Sequence, residues 1–183
     1  HPRDRRQRQM CIRDSTQTLN LKKYIANQGF QEVINYSFVN KKSLKELDIS
    51  EELIELKNPL NENLEVMRTS LFPGLLKTLK SNLNRGENFM KIFEEGKVFK
   101  KTFSAREQNM LSGLIFDQDK KKNWSSKKQF SFFDLKKFIV DLLNHLSAKE
   151  IVFQQSKNAF LHPNISIDVI KNKQIIGSFG SCL

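Results

Sequence analysis

The chain has 183 residues, 31 Lys and Arg against 20 Asp and Glu, and a formal net charge of +11. Hydrophobic residues at 38% and fifteen Phe supply a core for about one domain, which excludes a disordered polyelectrolyte. No apolar run reaches the roughly 20 residues of a membrane span, and Cys11 and Cys182, near opposite ends, exclude a disulfide scaffold and offer no metal-ligand spacing.

The charge is unevenly made. Residues 1–15, HPRDRRQRQMCIRDS, hold five of the eight arginines, whereas all 23 lysines lie in the body. Five arginines less Asp4 and Asp14 leave +3 on this segment and +8 on the rest. Such an arm would neutralise several phosphates of a nucleic acid. Its composition, however, stops abruptly near Thr16, where a Lys-, Asn-, Ile- and Phe-rich body begins. We therefore read 1–15 as a basic tail foreign to the domain, a cloning or assembly remnant, and 16–183 as the domain.

In chain order, Leu19, Leu21, Ile25 and Ala26 share a helical face, and Gly29 ends that helix. EVINYSF at 32–38 reads as a strand, 41–47 as a short helix and LIELKN at 53–58 as a strand stopped by Pro59. Ser70 as cap, Pro73 in the first turn and leucines at 71, 75, 76, 79 and 83 predict a helix closed by Arg85-Gly86. FMKIFEEGKVFKKTF at 89–103 predicts two strand segments bent at Gly96, with a further strand at 110–116. KKKNWSSKK at 120–128 reads as a solvated loop, with weak capacity for single-stranded nucleic acid through Trp124. Ser131 and Asp134 start a helix with a capping box, and 151–155, 165–170 and 174–179 are strands, the last two joined at Asn172-Lys173. Irregular alternation and hairpin linkage predict an α+β fold with an antiparallel sheet.

A search for chemistry finds little. The glycines form no phosphate loop, and no histidine is paired for zinc. His145 reads as a boundary residue, and His162-Pro163 as a turn entering a strand. Glu94 and Glu95, adjacent on a strand, point to opposite faces, so the two do not easily address one substrate; one buried functional carboxylate and a single structural carboxylate are the two readings left open.

The stretch Asn58–Phe99 differs in kind. NPL at 58–60, MRTSLFPGLL at 67–76, NLNRG at 82–86 and IFEEGKVF at 92–99 closely resemble the bacterial phenylalanyl-tRNA synthetase β-subunit family. GFQEVINYSF at 29–38, FFDLK at 132–136 and LHPNISIDV at 161–169 match in the same order. The signature residues are Arg68, Pro73, Gly74, Glu95, Gly96, His162 and Pro163.

This resemblance implies a class II aminoacyl-tRNA-synthetase-like antiparallel sheet flanked by helices, truncated at its C-terminal end. It implies that 17–38 corresponds to the first class II motif, an interface element, with Leu21, Ile25 and Tyr36 as contact candidates. It also implies that 91–103 corresponds to the second motif. Catalytic members end that strand with G-R-V-[YF]-R-x-[DE]; here Lys100 stands at the Arg position and Thr102 at the acid. Lysine is a point charge without the planar fork of Arg, and threonine supplies no anion. Arg68 suggests a surviving phosphate ligand, but one Arg does not rebuild the site, and no Arg follows Gly177-Ser178-Phe179-Gly180 where a third motif would end.

The expectation is thus a domain without catalytic residues, metal or bound cofactor of its own. It would belong to a cytoplasmic ligase that uses ATP and Mg²⁺, assembles with an α subunit as an (αβ)2 heterotetramer, and acts on tRNA(Phe). The alternatives are a stand-alone basic RNA-binding domain, using the tail, 120–128 and Lys100-Lys101, and a small active synthetase in which Lys100 replaces the Arg.

Overall fold

The computed structural model describes residues 16–46, 53–59, 61, 64–101, 105–118, 130–158 and 160–182. Helix α1, residues 16–27, ends at Gly29, whose φ of +85° is the left-handed conformation that glycine adopts without strain. Strands β1 (Gln31–Glu32) and β2 (Phe38–Val39) follow, then helix α2 (Lys41–Glu46), strand β3 (Val66–Met67) and helix α3 (Phe72–Leu83). A long hairpin, β4 (Phe89–Lys101) and β5 (Ala105–Asp117), leads to helix α4 (Phe132–His145) and strands β6 (Ile151–Gln155), β7 (Leu161–Lys171) and β8 (Gln174–Cys182).

The β4–β5 hairpin is the centre of the domain. Successive side chains of β4 alternate between two faces, and helices cover both. On one face Phe93 joins Ile25 of α1, Phe30 and Leu142 of α4 in a buried cluster, with Leu111, Ile115 and Phe138 packed around it. On the other, Ile92 and Leu114 lie under Leu75 of α3, with Leu76, Leu79, Met90 and Phe116 at the margin. Ile92 and Phe93 are therefore both buried although they are neighbours in sequence. Complete burial of a side chain such as Phe93 contributes about 1.5–3 kcal/mol, which is why this pair of strands organises the fold.

Among the described residues the strands form three sheets, ordered β1-β4-β5, β2-β3 and β6-β7-β8. Every pairing is antiparallel except β1 with β4. The α+β class with antiparallel strands matches the expectation, while one continuous sheet does not: hydrogen bonds divide it. Helix α4 binds the β6-β7-β8 sheet to the rest, with Phe132 stacked on Phe179 at 6.0 Å between ring centroids.

Several local expectations are corrected. Residues 32–38 are not one strand, because the chain leaves β4 after Val33, whose N–H donates to the Phe93 carbonyl. Beyond it Asn35 hydrogen-bonds to a side chain of β4 rather than to its backbone. In 53–58 only Glu55 forms a bridge, to Val66. Strand β4 runs through Gly96 without a bend, with Gly96 opposite Met110 in unbroken register. Leu71 occupies the N-cap of α3, and the Ser70 hydroxyl accepts from the Phe72 N–H at 3.2 Å one residue early.

His162 and Pro163 lie inside β7, not ahead of it, where pairing skips from Leu161↔Cys182 to Ser166↔Gly180. The Pro163 carbonyl there accepts from the Gln155 side chain at 2.8 Å, and the break in register is where a central strand tolerates proline. The Ser131–Asp134 capping box is present in both directions. At the β7–β8 tip, Asn172 and Lys173 have φ of 51° and 63°, the pair of left-handed residues that a two-residue hairpin demands. The 1–15 tail and the 120–128 loop with Trp124 lie outside the described residues.

Candidate functional site

Glu94 sits mid-strand on the α3 face of β4 and is 1% exposed. A carboxylate taken out of water at that depth costs several kcal/mol unless a cation and hydrogen bonds replace its hydration. Arg68, 5% exposed, supplies the cation: its Nη1 donates to Glu94 Oε1 at 2.6 Å. The same guanidinium donates through Nε to the Lys97 carbonyl at 2.9 Å and through Nη1 to the Asn35 carbonyl at 3.4 Å. The Arg68 backbone is held as well, donating to the Ser37 carbonyl and accepting from the Phe99 N–H, both at 2.9 Å.

Asn35 completes the network. Its backbone N–H donates to Glu94 Oε1 at 3.2 Å and its Nδ2 to Glu94 Oε2 at 2.7 Å. Its Oδ1 accepts from the Thr78 hydroxyl of α3 at 3.0 Å. With the carbonyl bound by Arg68, all four polar groups of Asn35 are engaged.

Two glycines make room for this knot. A Cβ on Gly96 would run into Arg68 Nη2, and a Cβ on Gly74 would stand 2.9 Å from Asn35 Cβ. Pro73, buried in the first turn of α3, sets the start of the helix that carries Gly74 and Thr78. The segments NYSF, MRTSLFPGLL and IFEEGKVF, up to 59 residues apart, thus converge on one buried structural cluster.

Other candidates fall elsewhere. Glu95 points to the opposite face, as strand alternation requires, and pairs with Lys22 of α1 at 3.3 Å. Lys22 also bonds Glu32 at 2.7 Å, and this bond first, then Glu95, holds its ammonium pKa above the usual value of 10.5. Lys100 is half-buried opposite Arg106, and Thr102 lies outside the described residues. The half-buried His162 accepts through Nδ1 from the Asn164 N–H at 3.2 Å, far along the chain from the knot.

Of the contact candidates, Ile25 is 2% exposed within the core, so its side chain is spent on folding and offers no outer surface. Leu21 is half-buried against that core, and Tyr36 is 76% exposed. His145 stacks on Tyr24 at 4.3 Å, beside an open cleft of about 670 Å³ between α1 and the end of α4. That cleft is on the α1 side of the hairpin, away from Arg68. Among the described residues no group of three His, Cys, Asp or Glu side chains is placed to hold a metal, and no helix is long and apolar enough to cross a membrane.

The residues that matter most here, Asn35, Thr78 and Glu94, were the least visible in sequence. Asn35 interrupts the apolar run Val33-Ile34-Asn35-Tyr36, and a polar residue on the inward side of such a run is the signal that finds it. Chemically the knot is closed. Nε and Nη1 of Arg68 are engaged and its charge is neutralised, so the guanidinium presents no bidentate edge to an outside phosphate.

A hairpin of long strands enclosed by helices on both faces, with this knot against β4, defines the class. The fold is that of the class II aminoacyl-tRNA synthetases. The structure superposes on the pyrrolysyl tRNA synthetase PylSc of Desulfitobacterium hafniense with a TM-score of 0.60 at 20% identity, covering 88% of this chain and 57% of that one. The particular family follows from sequence. A family model described as the phenylalanyl tRNA synthetase beta chain CLM domain matches residues 11–182, and the chain belongs to that family.

Curated relatives agree. The phenylalanine–tRNA ligase beta subunit of Hahella chejuensis is 36% identical over 163 residues, 88% of this chain and 20% of that protein. The corresponding subunit of Francisella tularensis is 35% identical over 167 residues, 91% of this chain and 21% of that protein. The chain spans about a fifth of the length of these relatives. The family match begins at residue 11, inside the 1–15 segment read as foreign.

Proposed function

We propose that this domain is a non-catalytic assembly module of a phenylalanine–tRNA ligase β subunit. It packs against the α subunit of an (αβ)2 heterotetramer and supports aminoacylation of tRNA(Phe) in the cytoplasm. The whole ligase, not this domain, handles ATP and Mg²⁺. Leu21 of α1 and Tyr36, just ahead of β2, are the contacts proposed with the companion subunit, and residues 1–15 are proposed to lie outside the working domain.

The observation that carries this reading is the state of Arg68. The arginine best placed by sequence to hold a phosphate is 5% exposed and committed to Glu94 and to the Lys97 carbonyl. A phosphate ligand must give its charge and planar fork to the substrate, and this one gives both to the fold. Lys100, at the second-motif Arg position, has the charge without the fork.

The test is phenylalanine-dependent pyrophosphate exchange in the reconstituted ligase carrying Lys100→Ala. Wild-type chemistry with an unaltered KM for ATP is expected. A hundredfold loss of kcat with the complex still assembled, on the order of one removed catalytic contact, would show that this domain holds nucleotide and sink the assembly reading.

A further inference from the structure

The β6-β7-β8 sheet holds a second set of buried polar side chains. Strand β7 is its central strand, paired with β6 on one side and β8 on the other. Ser166 and Asp168 lie on β7 two residues apart, 4% and 8% exposed. Strand alternation puts both side chains on one face. The Ser166 hydroxyl and Asp168 Oδ1 are buried, and among the described residues neither has a hydrogen-bond partner. Glu94 differs, since both of its oxygens are satisfied. A buried carboxyl oxygen and a buried hydroxyl are costly to leave unpaired, and native interiors almost always pair them.

The protein itself supplies no partner. The two groups do not bond each other directly. Side chains at i and i+2 of a strand start about 6–7 Å apart, more than one hydrogen bond spans. No ion pair among the described residues involves Asp168. The donors do not suit a multidentate metal either, because no group of three His, Cys, Asp or Glu side chains gathers there. On the β8 side Gly180 stands opposite Ser166 so closely that a Cβ on it would lie 2.8 Å from Ser166 Cβ, so that side is closed.

We propose that Ser166 and Asp168 form a binding site for one resident water molecule that bridges them along the face of β7. The Ser166 hydroxyl donates to the water oxygen, and the water donates to Asp168 Oδ1. The pair is complementary in this sense: the hydroxyl supplies a donor, the carboxyl oxygen accepts, and water does both. Two bonds of about 2.8 Å in series cover the separation that one cannot. The site lies where β7 is otherwise least held. Its pairing with β8 is interrupted between Leu161 and Ser166, Pro163 contributes no N–H, and Ser166 is the first residue back in the ladder. The Ser166 carbonyl accepts from the Ser156 N–H at 3.2 Å. The water fastens the side chain of the same residue to Asp168, and so secures the re-entry of β7 after the His162-Pro163 signature. This site stands independently of the assembly reading.

The test is a crystal structure of the ligase containing the full-length β subunit, at a resolution that shows ordered water. Backbone hydrogen–deuterium exchange over 166–168 is measured on the same complex. One isolated density peak is expected within about 2.6–3.2 Å of both Ser166 Oγ and Asp168 Oδ1, and it should vanish in Ser166→Ala. Exchange should rise about tenfold in Ser166→Ala and in Asp168→Ala, the range of one lost buried hydrogen bond. The double variant should rise no further than the larger single effect, because both changes remove the same water. Asp168→Asn, which keeps an acceptor oxygen, should keep the peak and exchange near wild type. If Asp168→Ala does not fold, the density in wild type and Ser166→Ala decides. A direct Ser166–Asp168 bond, or a Lys or Arg of another segment seated on Asp168 Oδ1, would overturn the proposal. So would single-variant effects that multiply in the double variant, or an anomalous signal at the peak in rubidium-soaked crystals, which would identify a monovalent cation instead.

Discussion

Arg68 and Glu94 lie 26 residues apart in sequence and 2.6 Å apart in the fold, both almost wholly buried, and each belongs to a separate signature segment. Around them Asn35, Thr78 and the bare backbone at Gly74 and Gly96 form a single closed unit. What reads in sequence as scattered remnants of an active site is in three dimensions a structural clamp.

Breaking this pair from one side should be severe. Arg68→Met leaves Glu94 buried without its cation, and destabilisation of about 3–5 kcal/mol is expected. Replacing both, as Arg68→Met with Glu94→Leu, should recover a large share of that loss, since apolar groups carry no desolvation penalty. Urea unfolding of the two variants against wild type measures this; a loss below about 1 kcal/mol in Arg68→Met would contradict the clamp.

Glycine at 96 is required by space and not by backbone conformation. Gly96→Ala pushes a methyl group into Arg68 Nη2, and a loss of about 1–3 kcal/mol is expected, the usual range for an overpacked interior. Gly177→Ala is the control, because a Cβ there meets nothing within 4 Å; it should stay within about 0.5 kcal/mol of wild type. Thermal midpoints of the two variants give the comparison.

Lys22 bridges α1 to β1 and β4 through Glu32 and Glu95. Its pKa in the folded state is raised above 10.5, so the folded state favours the charged form. The stability that this linkage contributes is fully present below pH 10.5 and is lost as pH rises through the folded-state pKa. The stability difference between wild type and Lys22→Gln should accordingly be flat across neutral pH and shrink on the alkaline side. A difference that instead shrinks on moving from pH 9 down to about pH 7 has the wrong sign for this linkage.

The β7–β8 tip is a place where the chain can be improved. Lys173 holds a φ of 63°, a conformation costing a residue with a Cβ roughly 1 kcal/mol. Lys173→Gly should therefore stabilise the domain by about 0.5–1 kcal/mol while keeping the Lys171↔Gln174 pairing. A lowered unfolding midpoint in this variant would mean that the Lys173 side chain contributes more than the turn strain removes.

Local patterns carried much of the architecture. Helical spacing marked α1, α3 and α4, the Ser131–Asp134 box marked the start of α4, and Asn172-Lys173 marked its hairpin, because each depends on contacts within a few residues. The motifs of 58–99 also carried the family. What failed were three local inferences: Gly96 as a bend, Ser70 as a cap, and 32–38 as one strand. For Gly96 and for 32–38 the deciding partner is distant, Arg68 for Gly96 and Glu94 for Asn35, whereas Ser70 misses the cap by a single residue.

The charge of +11 shows the same division. Its sign and its uneven origin are properties of the sequence alone. Which charges are available to a partner is not, because burial is set by long-range packing. The sequence by itself determined the family and the class of fold. Only the tertiary structure decided that Arg68 is spent on Glu94, that Ile25 is core, and that Ile34 and Tyr36 stand outward on a fastened segment. Ion pairing in a low-dielectric interior depends on positions brought together from segments far apart in the chain, and no local pattern records that meeting.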